Sequence, residues 1–272
     1  MNETERKQHI RNTFNSVAEG YGGESQRLFT LAAARLPGMF AFRGHEQVLD
    51  VACGTGIATR ALAPHLPRGH VTGLDFSSGM LAQANKNVQA AGLRNVDLVE
   101  MDMQAITLPE RGFDAANCSF ALFFVSDMRA QIAHIATRVK PGGAVVCNAF
   151  SDTPFSPNVD LFMERIGGYG IERPEFSLQR TGTEDKFAAL YRAAGLQDVE
   201  TVRADVSYML PDANGWWDIV WYAGLRDPVS RLSPDELEQF KREHLAEIQA
   251  LDQGHGIPVN AQVIYAKGVV PH

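Results

Sequence analysis

The chain has 272 residues, 45% of them hydrophobic and 21% charged, which is the composition of a folded globular protein rather than a disordered one. Its 25 basic and 32 acidic residues leave a net charge of −7, which argues against a broad nucleic-acid-binding face. No run approaches the ~18 apolar residues of a membrane span, and the polar start MNETERKQHIRN lacks the apolar core of a secretion signal.

Residues 3–36 read as two helical stretches broken at Gly20-Tyr21-Gly22-Gly23, with Ile10, Phe14 and Val17 at helical spacing and so expected to pack on a core. Tyr21 stands in the breaker, where an aromatic ring on a glycine-flanked loop can close over a ligand. From residue 47 strands and helices alternate. Strand 47–52 precedes a helix that Pro64 and Pro67 end; strand 70–75 precedes Ser77 and Ser78, either a good N-cap, and a helix with Leu81, Ala84, Val88 and Ala91 on one face. Strands 96–100, 113–120 and 144–150 follow, with a helix marked by Met128, Ile132, Ile135 and Val139 before the last of them. Residues 151–180 hold three prolines and one short helix near 159–166. Thr181 with Glu184 predicts a capping box, 199–209 a sixth strand, 216–225 an aromatic-rich helix, Ser233-Pro234-Asp235-Glu236 a second capping box, and 259–266 the last strand.

Repeated strand–helix units with apolar strands predict an α/β fold: a Rossmann-like, mostly parallel seven-stranded sheet with helices on both faces and an antiparallel last strand. Ligands of such sheets bind at the carboxyl ends of the strands. Asp50, Asp75, Asp102 and Cys118-Ser119 all fall on that rim. In the turn Ala52-Cys53-Gly54-Thr55-Gly56, glycines let backbone N–H groups approach a ligand at the N-terminus of the next helix. Asp75, 25 positions after Asp50, is placed to accept bonds from ribose hydroxyls. Asp102, with Phe76, Met80 and Met103, is a candidate apolar slot for a purine with a carboxylate for its exocyclic amine. A dinucleotide fingerprint wants Gly or Ala at position 59, where Thr stands, and no Gly-Lys-Ser/Thr loop is present.

VLDVACGTG, VTGLDFSSGML, MDMQAITLP, GFDAANCSFALFFV and VKPGGAVV, in this order, resemble the class I S-adenosylmethionine-dependent methyltransferases. Within them the chain looks like the branch holding the ubiquinone and menaquinone C-methyltransferases, which share VLDVACGTG and a phrase like FNSVAEGY (14–21). The resemblance covers roughly residues 10–150. It implies S-adenosylmethionine as cofactor, with Gly54 and Gly56 near its methionine part, Asp50 and Ala52 nearby, Asp75 on the ribose, Asp102 and Met103 on the adenine, and Cys118 or Ser119 as the floor. Ala52 stands where many members have their first glycine, a change that the quinone branch shares.

On this footing 1–272 forms one methyltransferase domain: an N-terminal helical cap (1–45), a cofactor-binding core (46–150), a lid or substrate insertion (151–182), and the C-terminal half of the sheet (183–272) with inserted helices at 212–252. The expected reaction is in-line methyl transfer to a small, aromatic or apolar acceptor, by a monomer or homodimer that binds no nucleic acid. Trp217 and Trp221, four apart on one face, with Phe123, Phe124 and Phe155, suggest an apolar acceptor pocket. His255 is a weak candidate base and His134 a weaker one; no ligand spacing for a metal is seen. The alternatives are an NAD(P)-dependent oxidoreductase and a non-catalytic S-adenosylmethionine-binding protein. Cys53, Cys118 and Cys147 are too scattered for disulfides or zinc, so buried thiols and a cytoplasmic home are expected.

Overall fold

The strands that read as nearly continuous apolar runs lie at the centre of one sheet, covered on both faces. The computed structural model of the chain describes residues 2–171 and 180–272. Its sheet holds β1 (Gln47–Val51), β2 (His70–Asp75), β3 (Val96–Glu100), β4 (Phe113–Ser119), β5 (Val139–Phe150), β6 (Gln197–Asp205) and β9 (Gln262–Val269), in the order β3-β2-β1-β4-β5-β9-β6. The first five pair in parallel, and β9 runs antiparallel to both β5 and β6. The antiparallel last strand is therefore inserted beside the edge rather than forming it.

On one face α5 (Met128–Ala136) and α7 (Glu184–Ala193) bury Ile132, Ile135, Phe187 and Tyr191 against Leu49, Cys118, Cys147 and Ile264. On the other, α2 (Leu28–Ala33) and α3 (Ile57–Leu62) bring Leu28, Phe29 and Leu62 onto Val48, Val146 and Tyr265. The helix α4 (Ser78–Ala90) takes Ser77 as its N-cap, the hydroxyl accepting the Met80 N–H, and packs against α1 (Glu3–Val17). This α1–α4 contact is polar as well as apolar: Asn15 Oδ1 accepts from Ser77 Oγ and the Gly79 N–H, at 2.7 and 2.9 Å.

A separate layer stands on the C-terminal part of the chain. It comprises α6 (Asn158–Gly167), α8 (Ala213–Trp221), the short α9 (Arg226–Val229), α10 (Pro234–Gln249), and a hairpin of β7 (Tyr208–Leu210) with β8 (Ile257–Val259). Its core is Phe162, Trp216, Val220, Phe240 and Ile248, all buried. Trp216 Nε1 donates to the buried His244 Nε2 at 2.8 Å, and burial lowers the His244 pKa to about 4, so the ring is a neutral acceptor. Arg165 of α6 pairs with Glu243 and Glu247 of α10 at the surface of this layer.

Several element boundaries differ from the sequence-based expectation: β5 begins at Val139, which was expected on the preceding helix, and the last strand spans Gln262–Val269 rather than 259–266. The sixth strand stops at Asp205, whose Oδ1 accepts the Ser207 N–H and turns the chain; residues 208–210 then pair with 257–259 instead of with the main sheet. The helix after the insertion is capped by Thr183, accepting from Lys186 N, rather than by Thr181. The aromatic helix ends at Trp221, and a second short one begins at Arg226. The insertion's helix is present, and residues 172–179 of the insertion lie outside the described residues. Truncating Phe240 to Ala should cost about 3–5 kcal/mol, because its ring packs edge-on against Phe162 and lies fully buried among Trp217, Tyr169 and His244. A urea titration with an unchanged midpoint would contradict this packing.

Candidate active site

The site is assembled by strand ends. β1 delivers Asp50 fully buried, and the parallel register sets Asn117 of β4 directly beside it. Asp50 accepts from Thr59 Oγ1 at 2.5 Å and from Asn117 Nδ2 at 2.7 Å. Both donors are neutral, and burial pushes the Asp50 carboxyl up to about 6 against their lowering effect. Thr59, the residue that breaks a dinucleotide fingerprint, is thus the one that holds this acid. A polar ladder continues across the strand tips, from Asn117 to Ser119 Oγ at 3.2 Å and on to Asn148 of β5, also at 3.2 Å. Asn148 Oδ1 accepts the Phe120 N–H, holding that residue at a positive φ of 52°.

After β1 the backbone turns through Ala52 (φ 55°), Gly54 (φ 55°) and Gly56 (φ 79°). For Ala52 the left-handed conformation costs roughly 1–2 kcal/mol, a strain that a glycine there would avoid. The two glycines differ in what surrounds them. A Cβ on Gly54 would meet nothing within 4 Å, whereas one on Gly56 would stand in ordinary contact with the Ala84 Cβ at 3.4 Å, so the positive φ rather than space asks for glycine at both. Asp75, at the tip of β2 and 7% exposed, closes the turn: Oδ2 accepts the Gly54 N–H and Oδ1 the Ser77 N–H, each at 2.9 Å. Burial raises its pKa too, opposed by those backbone bonds and by Arg11.

These rim elements line an open cleft, about 730 Å³ with the solvent at its mouth included, whose walls include Tyr21, Ala52, Gly54, Asp75, Phe76, Met80, Asp102 and Met103 together with Lys7, Ile10, Phe14, Ser119, Phe120 and Phe124. An adjoining recess of about 440 Å³ shares Tyr21, Ala52, Gly54, Ser119 and Phe120 with it and reaches Asp50, Thr55 and Phe29. Eight of the residues singled out from sequence therefore meet in one cleft, with Asp50 beside it. Gly56 and Cys118 line neither space: Cys118 is fully buried and opposes Cys147 on the α5/α7 face of the sheet, and Ser119 is the one of that pair that reaches the floor.

The candidate bases lie elsewhere. His255 is exposed in a turn closed by Asp252 Oδ1, which accepts the backbone N–H groups of 254, 255 and 256, and His134 Nε2 accepts the Ile106 N–H at 3.1 Å. Trp217 and Trp221 stack on each other inside the accessory layer, 5.8 Å between ring centres, and of the expected acceptor aromatics only Phe124 lines the cleft. Phe155 packs between Phe150 and Trp216. The wall that sequence reasoning missed is α1. Lys7, Ile10 and Phe14 are at i, i+3 and i+7 and so share one helical face; the stripe was legible, but not that it faces a ligand space.

The comparisons with known proteins agree with this geometry. The methyltransferase-domain family matches residues 48–143. The demethylmenaquinone methyltransferase of Geobacillus stearothermophilus is 34% identical over 169 residues, spanning 57% of this chain and 72% of that protein. The chain belongs to the class I S-adenosylmethionine-dependent methyltransferases. In fold it is similar to the YcgJ protein of Bacillus subtilis (TM-score 0.59, 17% identity, 89% of this chain and 99% of that one). It is likewise similar to Haemonchus contortus phosphoethanolamine N-methyltransferase 2, solved with phosphomonomethylethanolamine and S-adenosylhomocysteine (TM-score 0.55, 17% identity, 92% and 53%).

S-adenosylmethionine is accordingly the methyltransferase's cofactor, and the cleft has features that suit it. Two buried carboxylates, Asp50 and Asp75, form no ion pair with a basic side chain among the described residues, which suits a ligand carrying a sulfonium cation. Thr55 Oγ1 is buried at the recess without a hydrogen-bond partner, and Gly54 leaves space where a side chain would stand. An acid whose folded pKa is raised binds a proton that the unfolded chain has released. Its share of stability is fully present below about pH 4 and is lost as pH rises through about 6. Asp50→Asn should therefore gain about 3 kcal/mol relative to the parent between pH 4 and pH 7.5, in urea titrations run at both values. A difference that does not change with pH would contradict the assignment.

Proposed function

We propose that the methyltransferase acts on a small acceptor with a flat, apolar ring, which it meets on the α1 side of the cleft. The observation that carries this reading is the aromatic wall. Tyr21 stacks on Phe29 (5.1 Å), Phe29 meets Phe120 edge-on (5.2 Å), Phe120 packs on Phe150 (4.7 Å), and Phe14 meets Phe124 edge-on (5.4 Å). A quinol-type ring would suit such a wall, in keeping with the name of the Geobacillus relative.

In this reading Asp75 holds the ribose, the Asp102 end with Phe76, Met80 and Met103 takes the adenine, and Ala52, Gly54, Asp50 and Thr55 surround the methionine part. Bound S-adenosylmethionine supplies an activated methyl group on a sulfonium, so the chain's work is to position, desolvate and exclude water. Near-attack positioning is worth about 7–11 kcal/mol, enough to run the transfer without a dedicated proton acceptor. Among the described residues no histidine lines the cleft, so the reading favours an acceptor that attacks as a carbon or already ionised nucleophile. Residues 1–45 serve as the cap, 46–150 as the cofactor core and 151–182 as the acceptor-side insertion. A small molecule handled by a monomer or homodimer in the cytoplasm, without nucleic acid, accords with the net charge of −7 and three free, buried cysteines.

Replacing Asp75 with Ala removes charge-assisted bonds worth about 1.5–3 kcal/mol, so S-adenosylhomocysteine should bind roughly ten- to a hundredfold more weakly by calorimetry. Unchanged affinity in a folded variant, checked by circular dichroism, would refute the ribose role.

A further inference from the structure

Ser119, at the end of β4, is half-buried and lines both the cleft and the recess, so its side chain stands where the two meet. The neighbours of its hydroxyl have hydrogen-bonding directions fixed by their own partners. Asp50, as a carboxylate, only accepts, so the end of the Asn117 amide that meets it at 2.7 Å is the NH2 end, and the second hydrogen of that group is left for Ser119 Oγ at 3.2 Å. A backbone N–H only donates, so Asn148 turns its oxygen to the Phe120 N–H and its NH2 to Ser119 Oγ, again at 3.2 Å.

Two amides thus occupy the two lone pairs of the Ser119 oxygen and leave its one proton to be placed. Among the described residues the acceptor within reach is Asn117 Oδ1 at 3.3 Å, beyond the ordinary O–H···O range and on the same amide that already donates to Ser119. Two donors also polarise the hydroxyl and make it a stronger donor in its turn. A ligand N–H would find no lone pair here, whereas a ligand oxygen would find a proton. Phe120 and Phe124 line the same cleft. Resting on the reading that a flat acceptor ring meets that aromatic wall, we infer that Ser119 is a specificity-determining residue that donates to an oxygen on the ring. The acceptor is then an arenol or its anion, and the bond sets which edge of the ring is turned to the floor.

The test is calorimetric titration of the full chain, saturated with S-adenosylhomocysteine, with 1-naphthol and with 1-methylnaphthalene, which has nearly the same shape and no oxygen. In Ser119→Ala, 1-naphthol should bind about tenfold more weakly than to the parent, while 1-methylnaphthalene, and S-adenosylhomocysteine titrated alone, keep their parent affinities. Ser119→Cys, nearly isosteric but a weak donor, should show most of the same loss, and Ser119→Thr, which keeps the hydroxyl, should bind 1-naphthol as the parent does. Equal weakening of both ring compounds in Ser119→Ala, an unchanged affinity for 1-naphthol, or weakening of S-adenosylhomocysteine alone would overturn the role of Ser119 while leaving the flat-ring reading in place. A parent chain that binds S-adenosylhomocysteine but neither ring compound would overturn both readings.

Discussion

A carboxylate buried at the tip of the central strand, held by one hydroxyl and one amide and, among the described residues, by no cation, sets the terms for the rest of the site. Desolvation makes the Asp50 charge costly, and the Thr59 and Asn117 bonds offset only part of that cost. The second buried acid, Asp75, adds to it through space. In the proposed function a cationic ligand relieves this pair, and S-adenosylmethionine carries such a cation. The parallel register that opposes Asp50 to Asn117 holds this acid in place beside the cleft.

The same rim stores backbone strain. Ala52 and Phe120 adopt positive φ immediately after β1 and β4, and Phe155 does so five residues beyond the end of β5, although none is a glycine. Two of them, Ala52 and Phe120, line the cleft, and the hydrogen bond from Phe120 N–H to Asn148 shows how the strand tips hold such conformations. Above this fixed floor lies α1, whose Lys7, Ile10 and Phe14 complete the wall. The floor is rigid sheet and the roof is a helix tied by a few polar bonds.

The core of the fold was legible because its signals are local and repeated: apolar strands closed by acids, glycines at the turn, N-caps before amphipathic helices. The carboxylates were legible for the same reason, each sitting where a strand ends. What escaped was anything decided by distant packing. Gly54 and Gly56 look equivalent in sequence, yet one opens on the cleft and the other faces Ala84. Cys118 and Ser119 are neighbours, but alternation along β4 sends one thiol into the core and leaves the hydroxyl on the floor. The spacing of Trp217 and Trp221 suggests an acceptor pocket, whereas the two stack on each other in a layer that the strand pattern does not announce. Lys7 gave no signal, since a lysine on a polar helix is ordinarily solvated.

The proposal that a bound cation relieves two buried acids that form no ion pair among the described residues is tested most directly by the protons released on binding. At pH 6, near the Asp50 pKa, S-adenosylmethionine carries a sulfonium that S-adenosylhomocysteine lacks. Titration calorimetry in two buffers of different ionisation enthalpy should show proton release with the sulfonium compound, less with its product, and a difference that fades by pH 8. Equal proton release with both compounds at pH 6 would contradict the account.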